Sequence, residues 1–262
     1  PNKDGSLLFE NPRAFQGKGE TTWEGLIKSV RGKVKGTKAK IRLGASSGEW
    51  KAMVADEAAR TTFAKNIKKV LEKNNLDGID LDFEWAENEK EYEDYSLAIL
   101  KMREVLGDKY LFSVSLHPVC YKISKKAIEA VDFISLQCYG PSPVRFPIEK
   151  YCSDIQMVLE YGIPKEKLVA GVPFYGVTKD NSKKTEAYFN FVQDGLITSP
   201  SQNEVIYQGD TYVFDGQDNI RIKTRYAKEQ KLKGMMSWDL ATDLPLNDSK
   251  SLLKTMTEEL RK

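Results

Sequence analysis

No apolar run in the 262 residues reaches the roughly 18 that a membrane-spanning helix needs, which argues against a helical span. Cysteine is scarce: Cys120, Cys138 and Cys152 are an odd number without metal-ligand spacing. That pattern argues against a disulfide framework and leaves room for one pair. Charge of one sign is lacking too, since Lys+Arg 40 against Asp+Glu 38 leaves a formal net charge of +2. So even a balance argues against nucleic acid or an anionic membrane surface as partner. There is no GxGxxG, no low-complexity segment, no long linker and no internal repeat, and the opening PNKDGSLLFENP has no signal-peptide pattern. The one histidine, His117, reads as a satisfied structural residue at a strand end.

What is present is ordinary for a globular chain, with 40% hydrophobic and 30% charged residues. The length suits one large α/β domain or two small ones. Short apolar runs predict strands at 40–46 (KIRLGAS), 77–85 (DGIDLDFEW), 110–118 (YLFSVSLHP), 133–140 (FISLQCYG), 167–176 (KLVAGVPFYG) and 234–240 (GMMSWDL). Helical patterns lie between them. Phe63, Ile67, Val70 and Leu71 make one apolar face, and Tyr92, Tyr95, Ile99, Met102 and Leu106 another. Gly107 stands where a C-cap belongs and Ser124 where an N-cap does, and SKSLLKTMTEELRK reads as a closing helix. Repeated strand–helix alternation predicts a parallel sheet covered by helices, either doubly wound or most of a (β/α)8 barrel.

From about Thr178 to Thr224 the rhythm breaks into polar, turn-forming sequence, with alternating apolar residues around Gln208-Gly209-Asp210 that predict a hairpin. This piece, 178–224, is expected to be a small α+β insertion, and 1–177 with 225–262 the α/β barrel domain.

The stretch LDGIDLDFEW places Asp77, Asp80, Asp82 and Glu84 within eight positions. Side chains alternate along a strand, so Asp80, Asp82 and Glu84 share one face while Ile79, Leu81 and Phe83 share the other. The apolar face suits packing on helices. The acidic face would point into a barrel as a row about 13 Å long, with Glu84 nearest the end where parallel barrels carry their sites. Carboxyls this close cannot all ionise cheaply, so at least one pKa should be raised, as a general acid requires. A divalent cation is a competing reading. However, the large apolar residues between the acids do not suit a calcium loop of the EF-hand type. A buried network serving stability alone is a poor solution for three carboxyls.

DGIDLDFEW matches the D-G-x-D-x-D-x-E signature of glycoside hydrolase family 18, the chitinases and their relatives. DFISLQCYG resembles that family's sixth strand, KLVAGVPFYG its seventh and KGMMSWDLATD its eighth, and 178–224 resembles the small α+β insertion many members carry before the last strand. The resemblance covers nearly the whole chain and implies a TIM barrel. It also implies retaining hydrolysis assisted by the substrate's own 2-acetamido group. By that resemblance Glu84 is the general acid, Asp82 orients the acetamido group, Asp80 tunes Asp82, and Asp77 is a structural partner. Tyr139 would hydrogen-bond the acetamido group with Gln137 beside it, Trp238 would form the floor under the sugar, and Tyr175 and, more weakly, Trp85 would stand at the rim. Met235 and Met236 read as barrel packing. No metal or other cofactor is implied. The partner is an N-acetylglucosamine-containing oligo- or polysaccharide, handled by a secreted, periplasmic or cell-surface monomer.

Three departures stand out. Gly140 occupies the place after the sixth-strand tyrosine where many chitinases have Asp or Asn, and GASS (44–47) replaces the usual S-x-G-G. The family's first strand and most of its second have no counterpart, so the natural product is expected to begin further upstream, with its export signal there. Chitin or chito-oligosaccharide is the default substrate. An endo-β-N-acetylglucosaminidase acting on N-glycans stays open, as does a sugar-binding lectin, against which Glu84 counts. A magnesium-dependent phosphoryl-transfer barrel would lose function on chelation, and a glycosidase of this family would not.

Overall fold

Strands and helices alternate in the computed structural model, which describes residues 1–9 and 22–262. They divide into two compact units, Pro1–Leu116 with Lys122–Asp132, and His117–Tyr121 with Phe133–Lys262. Each is described by itself.

The first unit runs α1 (Trp23–Lys33), β1 (Arg42–Ser46), α2 (Trp50–Ala55), α3 (Glu57–Lys73), β2 (Gly78–Asp82), α4 (Glu89–Leu106), β3 (Leu111–Leu116) and α5 (Lys125–Ala130). β2 lies between β1 and β3, parallel to both. Its outer residues Ile79 and Leu81 are fully buried, together with Phe63, Ile67 and Leu71 of α3 and Tyr95, Ile99 and Met102 of α4. That is the helix-to-sheet packing the two apolar stripes predict. The helices start on side-chain caps, with Asp56, Asn88 and Ser124 accepting from the backbone N–H groups of Ala59, Glu91 and Ala127. Gly107 ends α4 at φ 62°, its N–H on the Arg103 carbonyl. Gly78 is required by space, since a Cβ there would lie 2.0 Å from the Leu111 carbonyl oxygen on the adjacent strand.

The second unit contains β4 (Phe133–Leu136), α6 (Ile148–Tyr161), β5 (Leu168–Pro173), β6 (Tyr175–Thr178), β7 (Thr185–Ala187), α7 (Tyr188–Gln193), β8 (Glu204–Tyr207), β9 (Asp210–Val213), α8 (Gln217–Glu229), β10 (Gly234–Trp238) and α9 (Leu252–Arg261). β5 pairs in parallel with β4 and β10. A separate antiparallel sheet runs β7-β6-β9-β8. Its β8–β9 hairpin turns at Gln208-Gly209, as the alternating pattern predicts.

The stretch expected as one strand, 167–176, is two. Pro173 has no N–H for a ladder, and the chain leaves the parallel sheet there. Phe174 is fully buried with its N–H on the Trp238 carbonyl (2.8 Å), and β6 then joins the antiparallel sheet. That sheet packs on Phe191, whose ring meets those of Tyr207, Tyr212 and Phe214 at 5.5–5.6 Å. The three cysteines are free thiols, so the pair that composition left open does not form.

Lys223 on α8 is fully buried. Its three N–H bonds go to both oxygens of buried Asp215 (2.8 and 2.6 Å) and to the Phe146 carbonyl (2.9 Å). The ammonium also lies 5.4 Å from the Tyr151 ring centroid. Removing one partner strands a buried charge, so Lys223→Met is expected to cost about 3–5 kcal/mol in chemical denaturation. Adding Asp215→Leu should recover much of that loss, and a single-variant loss below about 1 kcal/mol would contradict the account.

Candidate active site

Along β2 and the two residues beyond it the acids step from half-buried to exposed. Asp80 and Asp82 are half-buried inside the strand, and Glu84 is exposed two residues past its end. The opposite face, Ile79, Leu81 and Phe83, is buried. Phe83 stacks on Trp50 (centroids 5.5 Å, 18°) and meets Tyr95 edge-on at 5.2 Å, while the Tyr95 hydroxyl donates to the Leu81 carbonyl at 3.2 Å. These contacts fix the strand's rotation and so the side on which the acids stand. Asp77 lies outside the row. Its carboxylate accepts from the Ile41 N–H (2.8 Å) and from Lys40, so it ties β1 to β2 as the structural partner expected.

Asp80 holds the most elaborate set of partners. Ser113 and Ser115 of β3 donate to its two oxygens, Ser115 at 2.7 Å. Arg42 of β1 donates to the Ser113 hydroxyl and stands 3.8 Å from the Asp80 carboxylate. Burial pushes the Asp80 carboxyl above its ordinary value, while the two serine hydroxyls and the Arg42 charge act the other way. The crowded row predicts a carboxyl raised by its like-charged neighbours; the rise at Asp80 comes from burial instead. Burial lowers Arg42 from its usual value, with Asp80 and Asp132 opposing it.

In the second unit, Gln137 and Tyr139 follow β4 and are buried, 6% and 7% exposed. The Tyr139 hydroxyl donates to Met236 Sδ at 3.5 Å, and its ring occupies space that a Cβ on Gly171 would enter, 2.9 Å from Cε1. Met236 pairs with Gly171 across β10 and β5, so the tyrosine, the glycine and the methionine share one position of the sheet. Tyr175 opens β6, its hydroxyl donating to the Gly140 carbonyl at 3.2 Å. Trp238 ends β10 with 53% of its surface exposed, unusual for so large an apolar ring. The Glu84–Trp85 and Trp238–Asp239 peptide bonds are both cis. Among the described residues no group of three or more His, Cys, Asp or Glu is arranged to hold a metal ion, and no helix is long and apolar enough to cross a membrane.

Arg42, Ser113 and Ser115 carry no role in the sequence reading. The serines were within reach of it, since S-V-S in LFSVSL puts both on one face of β3 beside Asp80, with Phe112, Val114 and Leu116 on the other. Arg42 was not, because its place opposite Gly78 depends on the register of β1.

Parallel strands each followed by a helix, with acids at the C-terminal end of one of them, define the class of β/α-barrel proteins that keep their sites at that end. The chain belongs to the family described as Glycosyl hydrolases family 18, whose sequence model matches residues 4–243. It is 24% identical to "Probable chitinase 2" of Drosophila melanogaster, over 75% of this chain and 54% of that one. It is also 24% identical to "Chitinase A1" of Niallia circulans, over 92% and 47%. The chain thus spans about half the length of these curated relatives. Among solved structures it resembles the GH18 chitinase ChiB of Flavobacterium johnsoniae, with TM-score 0.77 and 26% identity over 99% of this chain and 83% of that one. A chitinase of Bacteroides thetaiotaomicron shares the fold at TM-score 0.80 and 21% identity, over 98% and 84%. The fold class expected from the motifs, a (β/α)8 TIM barrel lacking its first strand and most of its second and carrying a small α+β insertion, agrees with this likeness to barrel chitinases.

The folded state holds the Asp80 proton to higher pH than the unfolded chain does. This group alone therefore costs stability as pH rises from about 4 through its folded value. Arg42→Met removes the opposing charge. The Asp80 carboxyl should then titrate higher by carbon-detected NMR, and the loss of stability with rising pH should extend further. An unchanged titration would show that Arg42 does not act on Asp80.

Proposed function

We propose that the chain is a glycosidase that cleaves β-1,4 bonds beside N-acetylglucosamine, in chitin or chito-oligosaccharides, with retention. The observation that carries this reading is the row along β2: a half-buried acid held by two hydroxyls, a second half-buried acid, then an exposed one beyond the strand end. Glu84 gives its proton to the glycosidic oxygen as the C1–O bond breaks. The substrate's 2-acetamido oxygen forms the new bond to C1, giving an oxazolinium ion. Asp82 orients the acetamido N–H and offsets the developing positive charge, and Asp80 below it sets how readily Asp82 holds a proton. Water then attacks C1, Glu84 accepts its proton, and the acetamido group is released with the β configuration restored.

Tyr139 supports the acetamido oxygen. A thioether is a weak acceptor, so a hydroxyl donating to Met236 passes readily to an amide oxygen. Gln137 lies beside it, Trp238 offers an exposed flat ring as the sugar's floor, and Tyr175 stands at the rim. Support for the substrate class comes from relatives named as chitinases and from a Cycas revoluta class V chitinase solved in complex with (GlcNAc)3. The same chemistry is assigned to a secreted, periplasmic or cell-surface setting, without a metal or organic cofactor.

Gly140 favours keeping a second reading, cleavage of the N-glycan core, because it leaves out the side chain that many chitinases use there. The test is hydrolysis of a labelled chito-oligosaccharide and of an N-glycopeptide by the wild type and Glu84→Gln. Glu84→Gln should lose at least ~10²-fold in kcat, and the first product should be the β-anomer. Equal rates would remove Glu84 as the acid, and an α-anomer would remove the retaining course. Binding without cleavage by the wild type would make the chain a lectin.

A further inference from the structure

The turn after β3 sets the chain's one histidine against the segment that carries Tyr139. His117 is 7% exposed. Its Nδ1 accepts from the Val119 N–H (3.2 Å), so the proton of the neutral ring sits on Nε2, which donates to the Tyr139 carbonyl at 3.0 Å. Backbone bonds in both directions between His117 and Cys120, at 2.7 and 3.3 Å, close the same turn and hold the imidazole from behind. The Tyr175 hydroxyl grips the next carbonyl, that of Gly140. Two successive carbonyls are thus held by two side chains. A Cβ on Gly140 would lie only 3.8 Å from His117 Nε2, so the imidazole lies alongside the glycine.

We infer that His117 is a positioning residue for Tyr139, fixing its peptide plane so that the phenol stays aimed at the acetamido group of the bound sugar. This rests on the glycosidase reading. The phenol oxygen is the far end of a long side chain, so a small rotation of the peptide is magnified there, and misplacement on the order of 1 Å is enough to slow a reaction. The role needs a neutral ring, since an imidazolium would turn an Nδ1–H against the Val119 N–H. Burial and the Arg145 charge, helped by Lys150, outweigh the Tyr139 carbonyl and Asp154 and hold the His117 pKa at about 4.

The test compares His117→Phe, which keeps the bulk without the donor, with His117→Gln, which keeps an N–H for the Tyr139 carbonyl. On a chito-oligosaccharide the Phe variant should lose about tenfold or more in kcat with little change in KM, and Gln should regain most of it. Ring nitrogen NMR gives a readout apart from turnover, because one histidine gives one pair of signals. In Glu84→Gln protein, Nε2 should be the protonated nitrogen from pH 8 to about 5, and chitotetraose should move its signal. A folded Phe variant with wild-type kcat and KM overturns the inference alone, as does equal damage in Phe and Gln. If the Phe variant does not fold, an Nε2 signal unmoved by bound sugar overturns it. A wild type that neither cleaves nor binds the sugar overturns the functional reading, and this inference with it.

Discussion

A carboxylate inside a sheet has to be met by donors, and that constraint at Asp80 organises the first unit. Its oxygens take hydroxyls from Ser113 and Ser115, and Arg42 reaches the same group from the strand on the other side. The registers β1 to β2 and β2 to β3 must both be right for this to happen, since a slip of one residue would turn all three donors to the helix side. The polar row therefore specifies the sheet as much as the sheet presents the row. A carboxyl taken largely out of water is a poor source of stability, which supports the proposed site over a purely structural role.

The second unit solves a different problem, the placing of aromatic rings. Tyr139 needs an absent side chain at Gly171 and a sulfur at Met236 to lie where it does. Its peptide and the next are held by His117 and Tyr175, so that ring is located by main-chain anchoring rather than by packing alone. Trp238 is the opposite case, a ring left largely bare at a strand end, where its value lies in what it can stack on.

Most of the architecture was legible in the sequence because it rests on local periodicity. The stripes Phe63-Ile67-Leu71 and Tyr95-Ile99-Met102 are the buried faces of α3 and α4, and the two-faced reading of β2 matches its burial. The acids of that strand were legible through spacing, but crowding was the wrong cause for a raised carboxyl, since burial lifts Asp80. Where the pKa rises depended on depth, which only the fold supplies. The split of 167–176 turned on a proline at the point where the chain changes sheets. His117 was legible as a satisfied residue at a strand end, and both its ring nitrogens are hydrogen-bonded. Arg42 was opaque because its ion-pair partner lies 38 residues away, and no local pattern announces a contact across strands.

The buried, neutral state of His117 has a consequence for the molecule as a whole. Histidine is the side chain whose ordinary pKa falls near neutrality, and this chain holds its single copy uncharged down to about 4. The protein therefore has no histidine buffering between pH 5 and 7. Burial meanwhile lifts the Asp80 carboxyl above its ordinary value, toward the interval the histidine has vacated.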